Sequence, residues 1–189
     1  MSGVIGGSGS KSGIIGHGRF AIGEVVQKMA VVSSHRQQTT NADATAFNEP
    51  NTAYRVTIVP KFSNSRIDID YSIPFNQNSA TNIITLFRFF RLISGGSKAY
   101  NITSQGNTSH GDRHAIAGSS FRPVGYDAQD SFIYKHTAVD FPSTTTSTVY
   151  GFETKPQGTN TTTWGYSGGN SSNWGWNADI VITATEIRQ

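Results

Sequence analysis

Arg66-Ile67-Asp68-Ile69-Asp70-Tyr71-Ser72-Ile73 sorts its side chains into two sets: Ile67, Ile69, Tyr71 and Ile73 on one face, Arg66, Asp68, Asp70 and Ser72 on the other. A period of two sustained over eight residues is the pattern of a strand with one face buried and one wet. Tyr54, Val56 and Ile58 alternate in the same way just upstream. From Asn82 to Ile93 the pattern changes. Both alternating sets, Ile83-Phe87-Phe89-Ile93 and Ile84-Leu86-Phe90-Leu92, are apolar, interrupted by Thr85, Arg88 and Arg91. Phe with flanking Ile and Thr favours a strand over a helix here, and Ser94-Gly95-Gly96-Ser97 supplies the turn after it. A strand apolar on both sides is covered on both sides. Because an antiparallel sheet in a small isolated domain leaves one face to water, the second face is expected to meet another subunit.

Working outward, Gly23 to Ser33, Lys98 to Thr103, Ser131 to Phe141, Thr148 to Lys155 and Asp179 to Ile187 read as further strands, giving eight in all. The composition agrees: 22 Ser, 21 Thr and 13 Asn make up 56 of 189 residues. Ser and Asn offer the backbone competing local hydrogen bonds, and Thr is stiff at χ1, so helices are disfavoured. Eleven Phe, seven Tyr and three Trp supply a core that a disordered chain would lack. The fold class expected is all-β, a jelly-roll-like antiparallel β-sandwich. Ser104 to Pro123 and Pro156 to Asn177 read as two long irregular loops at one end.

The length suits one compact domain. Without cysteine the chain has no disulfides, thiolate metal clusters or thiol nucleophiles, which leaves packing or assembly to stabilise it. No run approaches the roughly 18 apolar residues of a membrane helix, and Met1 to Gly16 has no apolar block of signal-peptide length, so a soluble chain not exported by that route is expected. The net charge of +3 arises from 15 Lys and Arg against 12 Asp and Glu with no basic run, so nucleic acid is not an expected partner.

Residues 1–18 differ from the rest. They hold seven glycines, and Ser2-Gly3-Val4-Ile5-Gly6 returns ten residues later as Ser12-Gly13-Ile14-Ile15-Gly16. A plain flexible linker would be Gly and Ser alone. The β-branched pairs Val4-Ile5 and Ile14-Ile15 suggest two anchors on an extended partner-docking arm, with glycines letting the backbone approach a surface. The alternative is a disordered tail with chance repetition. The division is therefore an arm over 1–18 and a β-sandwich domain over 19–189.

Catalytic chemistry finds little support. His110-Gly-Asp-Arg-His114 offers two histidines and Asp112, but Gly111 and its neighbours argue against the helix that would place the pair on one face. There is no Gly-x-Ser-x-Gly elbow and no phosphate-binding glycine loop. Asp68 and Asp70 point outward from one strand, where pairing with solvent or neighbours is the ordinary explanation. The chain reads as non-enzymatic, with no cofactor and no metal. Trp164, Tyr166, Trp174 and Trp176 cluster in Thr161-Thr-Thr-Trp-Gly-Tyr-Ser-Gly-Gly-Asn-Ser-Ser-Asn-Trp-Gly-Trp176. Three readings stand: the rings pin a glycine-rich loop to the domain, contact another subunit, or stack on a host cell-surface glycan.

Several segments resemble small virion proteins of tailed bacteriophages, marine ones especially, grouped as tail-fibre or minor structural proteins. They are the arm at Gly3 to Ser10, Gly23-Glu-Val-Val-Gln-Lys-Met-Ala-Val-Val32, and Val56-Thr-Ile-Val-Pro-Lys-Phe-Ser-Asn-Ser-Arg-Ile-Asp-Ile69. Asp140-Phe-Pro-Ser-Thr-Thr-Thr-Ser-Thr-Val-Tyr-Gly-Phe152 and Ile182-Thr-Ala-Thr-Glu-Ile187 complete the set. What the resemblance implies is a homotrimeric β-sandwich displayed on the virion after assembly in the host cytoplasm. Its arm would attach it to other virion proteins of the capsid, tail or a fibre, with no catalytic residues and no membrane insertion.

Overall fold

The computed structural model describes residues 21–41, 46–77, 85–100, 102, 119–121, 131–156, 160–167 and 176–189. These form twelve strands: β1 Val25–Ser33, β2 Gln37–Asn41, β3 Val56–Ile58, β4 Arg66–Gln77, β5 Thr85–Ile93, β6 Ser119–Phe121, β7 Ser131–Asp140, β8 Thr148–Pro156, β9 Asn160–Trp164, β10 Tyr166–Ser167, β11 Trp176–Asn177 and β12 Ile180–Ile187. Among the described residues the one helical element is a single 3-10 turn at Thr52–Tyr54, capped by the Asn51 side chain accepting from the Ala53 amide. The all-β class read from the alternation is the fold.

The pairings nest. β1 pairs with β12, β2 with β9, β3 with β8, β4 with β7 and β5 with β6, all antiparallel, as though one long hairpin had been closed from its tip back to its ends. Lateral pairing then gathers these ladders into sheets. β12 and β9 both join β4, giving a six-stranded sheet, and β8 joins β5, giving a four-stranded one in the order β3-β8-β5-β6. β10 and β11 make a separate two-stranded ribbon.

The larger sheet presents Ile67, Ile69, Tyr71, Ile73 and Phe75 from β4 and Ile180, Ile182 and Ala184 from β12, all 2% exposed or less. The smaller sheet answers with Val56, Ile58, Phe87, Phe89, Tyr150 and Phe152. Aromatic rings join the two: Phe87 stacks on Tyr134 with centroids 4.1 Å apart, and Tyr71 meets Phe89 at 4.4 Å. Each fully buried aliphatic or aromatic side chain contributes about 1.5–3 kcal/mol relative to exposure, so this interleaved layer dominates the stability.

β4 runs past the point where alternation would have ended it. β7 takes one of its edges from Ile67 to Asn76; on the other, β12 serves Arg66 to Ser72 and β9 serves Phe75 to Gln77. Pro74 falls in the gap between those two neighbours. Its carbonyl accepts from the Gly165 amide at 3.0 Å, so its nitrogen faces the edge where neither strand asks for a donor.

Three expectations are corrected. The described residues of Lys98 to Thr103 form no strand: they touch the sheet through one bridge, Ala99 with Arg91, and lay Lys98 and Tyr100 across the outer face instead. Pro156 to Asn177, read as irregular, contains β9, β10 and β11, and Ser104 to Pro123 contains β6. The second face of β5 does not wait for another subunit at Phe90, which is wholly buried beneath Arg55 and Lys98 of the same chain.

Candidate functional site

The residues read as a contact surface separate on inspection. Trp164 ends β9 with 1% of its surface exposed, its ring 5.5 Å from Phe75, 5.8 Å from Phe152 and 6.1 Å from Phe87. It is a core residue that anchors its loop, and it is removed from any surface that stacks on a glycan or a subunit. β9 is paired on both edges, by β2 and β4, with Thr162 and Thr163 buried as well; a Gly/Ser/Thr-rich setting had concealed that strand. Gly165 follows with φ +67, and a Cβ on it would stand 2.8 Å from the His35 carbonyl oxygen, so only glycine turns the chain there. The chain then enters the ribbon, where Tyr166 is opposite Asn177 and Ser167 opposite Trp176. Tyr166 and Trp176 are thus brought together on one two-stranded element. Trp174, the anchors Val4, Ile5, Ile14 and Ile15, and the His110, Asp112 and His114 cluster lie outside the described residues.

The outer face of the smaller sheet carries a group that the sequence did not single out. Arg88 and Glu153 stand opposite each other on β5 and β8 and are ion-paired, with the Arg88 Nε 2.8 Å from a Glu153 oxygen. The guanidinium lies between two rings, 4.3 Å from Phe47 and 3.9 Å from Tyr100. Lys98 Nζ bridges Glu153 at 2.7 Å and Glu49 at 2.9 Å, and Arg55 binds Glu49 through two contacts of 2.6 Å. Burial pushes the Glu49 carboxyl up, but Arg55 and Lys98 outweigh it and hold the group below its ordinary value. Every acid here has a base, so the cluster straps the 46–55 and 98–100 segments onto β5 and leaves no free group for acid–base chemistry. Arg88 and Arg91, interrupting an apolar strand, were the only signal; each marks a carboxylate partner, Arg91 binding Asp140 at 2.7 Å.

On the outer face of the larger sheet, Asp70, Ser72, Lys135, Thr137 and Thr183 surround a shallow depression of about 260 Å³. Asp70 accepts from the Thr137 hydroxyl at 2.7 Å, and Asp68 pairs with Arg66 at 2.8 Å, so both outward carboxylates are engaged with neighbours. Among the described residues no three His, Asp or Glu side chains converge as metal ligands, and no helix is long and apolar enough to cross a membrane.

No protein-family model matches the chain, and no curated protein matches it. The reading of function therefore rests on the residues and the fold.

Proposed function

We propose that this chain is a non-enzymatic structural protein of a tailed-bacteriophage virion, a trimeric surface appendage of tail-fibre or capsid-decoration type attached through its N-terminal arm. The observation that carries the reading is the nested strand pairing. Set aside the β2–β9 ladder and the small ribbon, and eight strands remain as two facing sheets, β1-β12-β4-β7 and β3-β8-β5-β6. That supports a jelly-roll, an architecture of viral capsid and lectin domains. The outward faces support a displayed role as well, since among the described residues Asp68, Asp70 and Glu153 are each committed to a neighbour.

The test is an image of purified particles with the protein labelled, joined to light scattering of the isolated chain. Label on the particle surface and a mass of three chains are the results this reading requires. Particles that lack the protein would remove the virion role, and a monomer across the micromolar range would remove the trimer. Glycan recognition is the second reading, favoured by the placement of Tyr166 and Trp176 on one ribbon. Glycan binding lost in Trp174→Ala or Trp176→Ala chains that melt normally would support it.

A further inference from the structure

β1 is a nine-residue strand at the margin of the larger sheet, bonded to β12 alone among the described residues. Every second residue along it turns its N–H and C=O away from β12, toward the open side. Chains ordinarily blunt such an edge with charge, proline, shortness or a cover. The other margins follow that rule: β2 is the polar run Gln37–Asn41, and β3 and β6 have three residues each. β7 also has one ladder partner among the described residues, with Lys135 and Thr137 exposed along it. β1 has Lys28 as its single charge and exposes Val25 at 57%, Met29 at 43% and Val32 at 62%, with Ile22 at 82% just before it. Met29 belongs to the inward set, opposite Ala184, yet is exposed because the facing strand β3 is too short to cover it.

The arm has the chemistry to close this edge. Each of its repeats sets a β-branched pair between glycines, and residues 1–20 contain no proline, so every amide can donate to a ladder. The ten-residue spacing of the repeats extends to about 33 Å, against about 30 Å for the nine residues of β1. The local turn decides whose arm it is. The Glu24 amide donates to the Ala21 carbonyl at 3.1 Å, with Gly23 at φ +86 in the third position, the φ pattern of a type II turn. Turns of that type splay the flanking segments instead of folding them into a hairpin. A turn of this type at Ala21–Glu24 does not fold the preceding chain back as a hairpin on β1.

We infer that the free edge of β1 is completed by the glycine-rich arm of a second copy of this chain, added as an extra antiparallel or parallel strand. The inference rests on the proposed assembly of several copies and names the surface that joins them.

The absence of native cysteine makes the test direct. One full-length chain carries Val4→Cys, Ile5→Cys, Ile14→Cys or Ile15→Cys; another carries Met29→Cys or Val32→Cys; the two are mixed, mildly oxidised and run on a denaturing gel without reductant. The expected result is a disulfide-linked pair of the two different chains for at least one arm position. No linkage in any mixture overturns the inference, as does a disulfide that forms only within one chain when both cysteines are placed in it. Val32→Glu with Met29→Glu, both exposed and so compatible with folding, should raise the concentration at which the assembly half-dissociates by about tenfold or more; an unchanged value also overturns it. If unlinked chains still scatter as trimers and label the particle, the inference fails and the proposed function stands. If the linkage forms but the particle carries no label, the reverse holds.

Discussion

The ring of Phe90 lies where the side chain of Gly151 would be: a Cβ on Gly151 would stand 2.6 Å from the Phe90 Cζ, and the two residues are directly opposite across β5 and β8. The absent side chain lets the ring lie flat on the sheet beneath Arg55 and Lys98. With Phe90 fully buried and held from above, the ring has nowhere to yield. Gly151→Ala should lower stability by about 1–3 kcal/mol, the usual cost of overpacking. Urea unfolding measures it, and a change below a few tenths of a kcal/mol would show the ring to be free to move.

Glu186 is wholly buried on β12 with hydrogen-bond donors in place of a cation partner. Its Oε1 accepts from the Lys61 and Phe62 amides and the Ser65 hydroxyl, and its Oε2 from Gln27, so one carboxylate ties the turn between β3 and β4 to the far side of the sheet. Glu186→Ala leaves those donors unmet and should cost about 3 kcal/mol or more. Glu186→Gln keeps the three bonds to Oε1 and sets an amide against the Gln27 amide, so its loss should be smaller. Equal losses in the two variants would refute this account.

His136 stacks on Phe89 with centroids 4.5 Å apart, and burial lowers its pKa below the ordinary 6.5. The unfolded chain therefore takes up a proton at His136 before the folded one does. Stability contributed by this group is complete above pH 6.5 and declines as pH falls below it. At the alkaline end, burial pushes Tyr54 up to about 12, and Tyr71 and Tyr150 upward too. Folding is weakened above about pH 10, where tyrosines of the unfolded chain ionise first. Thermal midpoints of the native chain and His136→Phe between pH 5 and 8 check the first point: the slope near pH 6 should flatten in the variant.

Trp164→Ala removes the ring that Phe75, Phe87 and Phe152 surround and should cost about 3–5 kcal/mol, the range for deleting a buried aromatic. A melt lowered by only a degree or two would place the ring outside the core.

Alternation made β4, β7 and β12 legible because each has one face in the core and one toward water. β5 was legible as a strand but misleading about its cover. Its second face is covered by residues 46–55 and 98–100, which are held there by Lys98 pairing with Glu49 and Glu153, both distant in sequence. The alternation quoted for β4 covers Arg66 to Ile73; the strand continues through Pro74 because that residue sits at the handover from β12 to β9. β9 was missed since Thr161, Thr162 and Thr163 give no contrast between its faces. For the same reason Trp164 stood open between pinning its loop and contacting a subunit or glycan. The nesting of the pairs is a property of register between distant segments, which no local pattern carries.

Gly23 donates to the Arg188 carbonyl at 2.8 Å, beside the Arg66 end of β4, whereas β9 and the turn at Gly165 attach at its Phe75–Gln77 end. Nine residues of strand, about 30 Å, lie between. A pull applied between the Gly23 corner and the ribbon end would run lengthwise down β4. Force in that direction shears the rungs of the β4 ladders together instead of unzipping them singly. Were the body hung from its arm as proposed, the long central strand would act as a tie rod between its two ends.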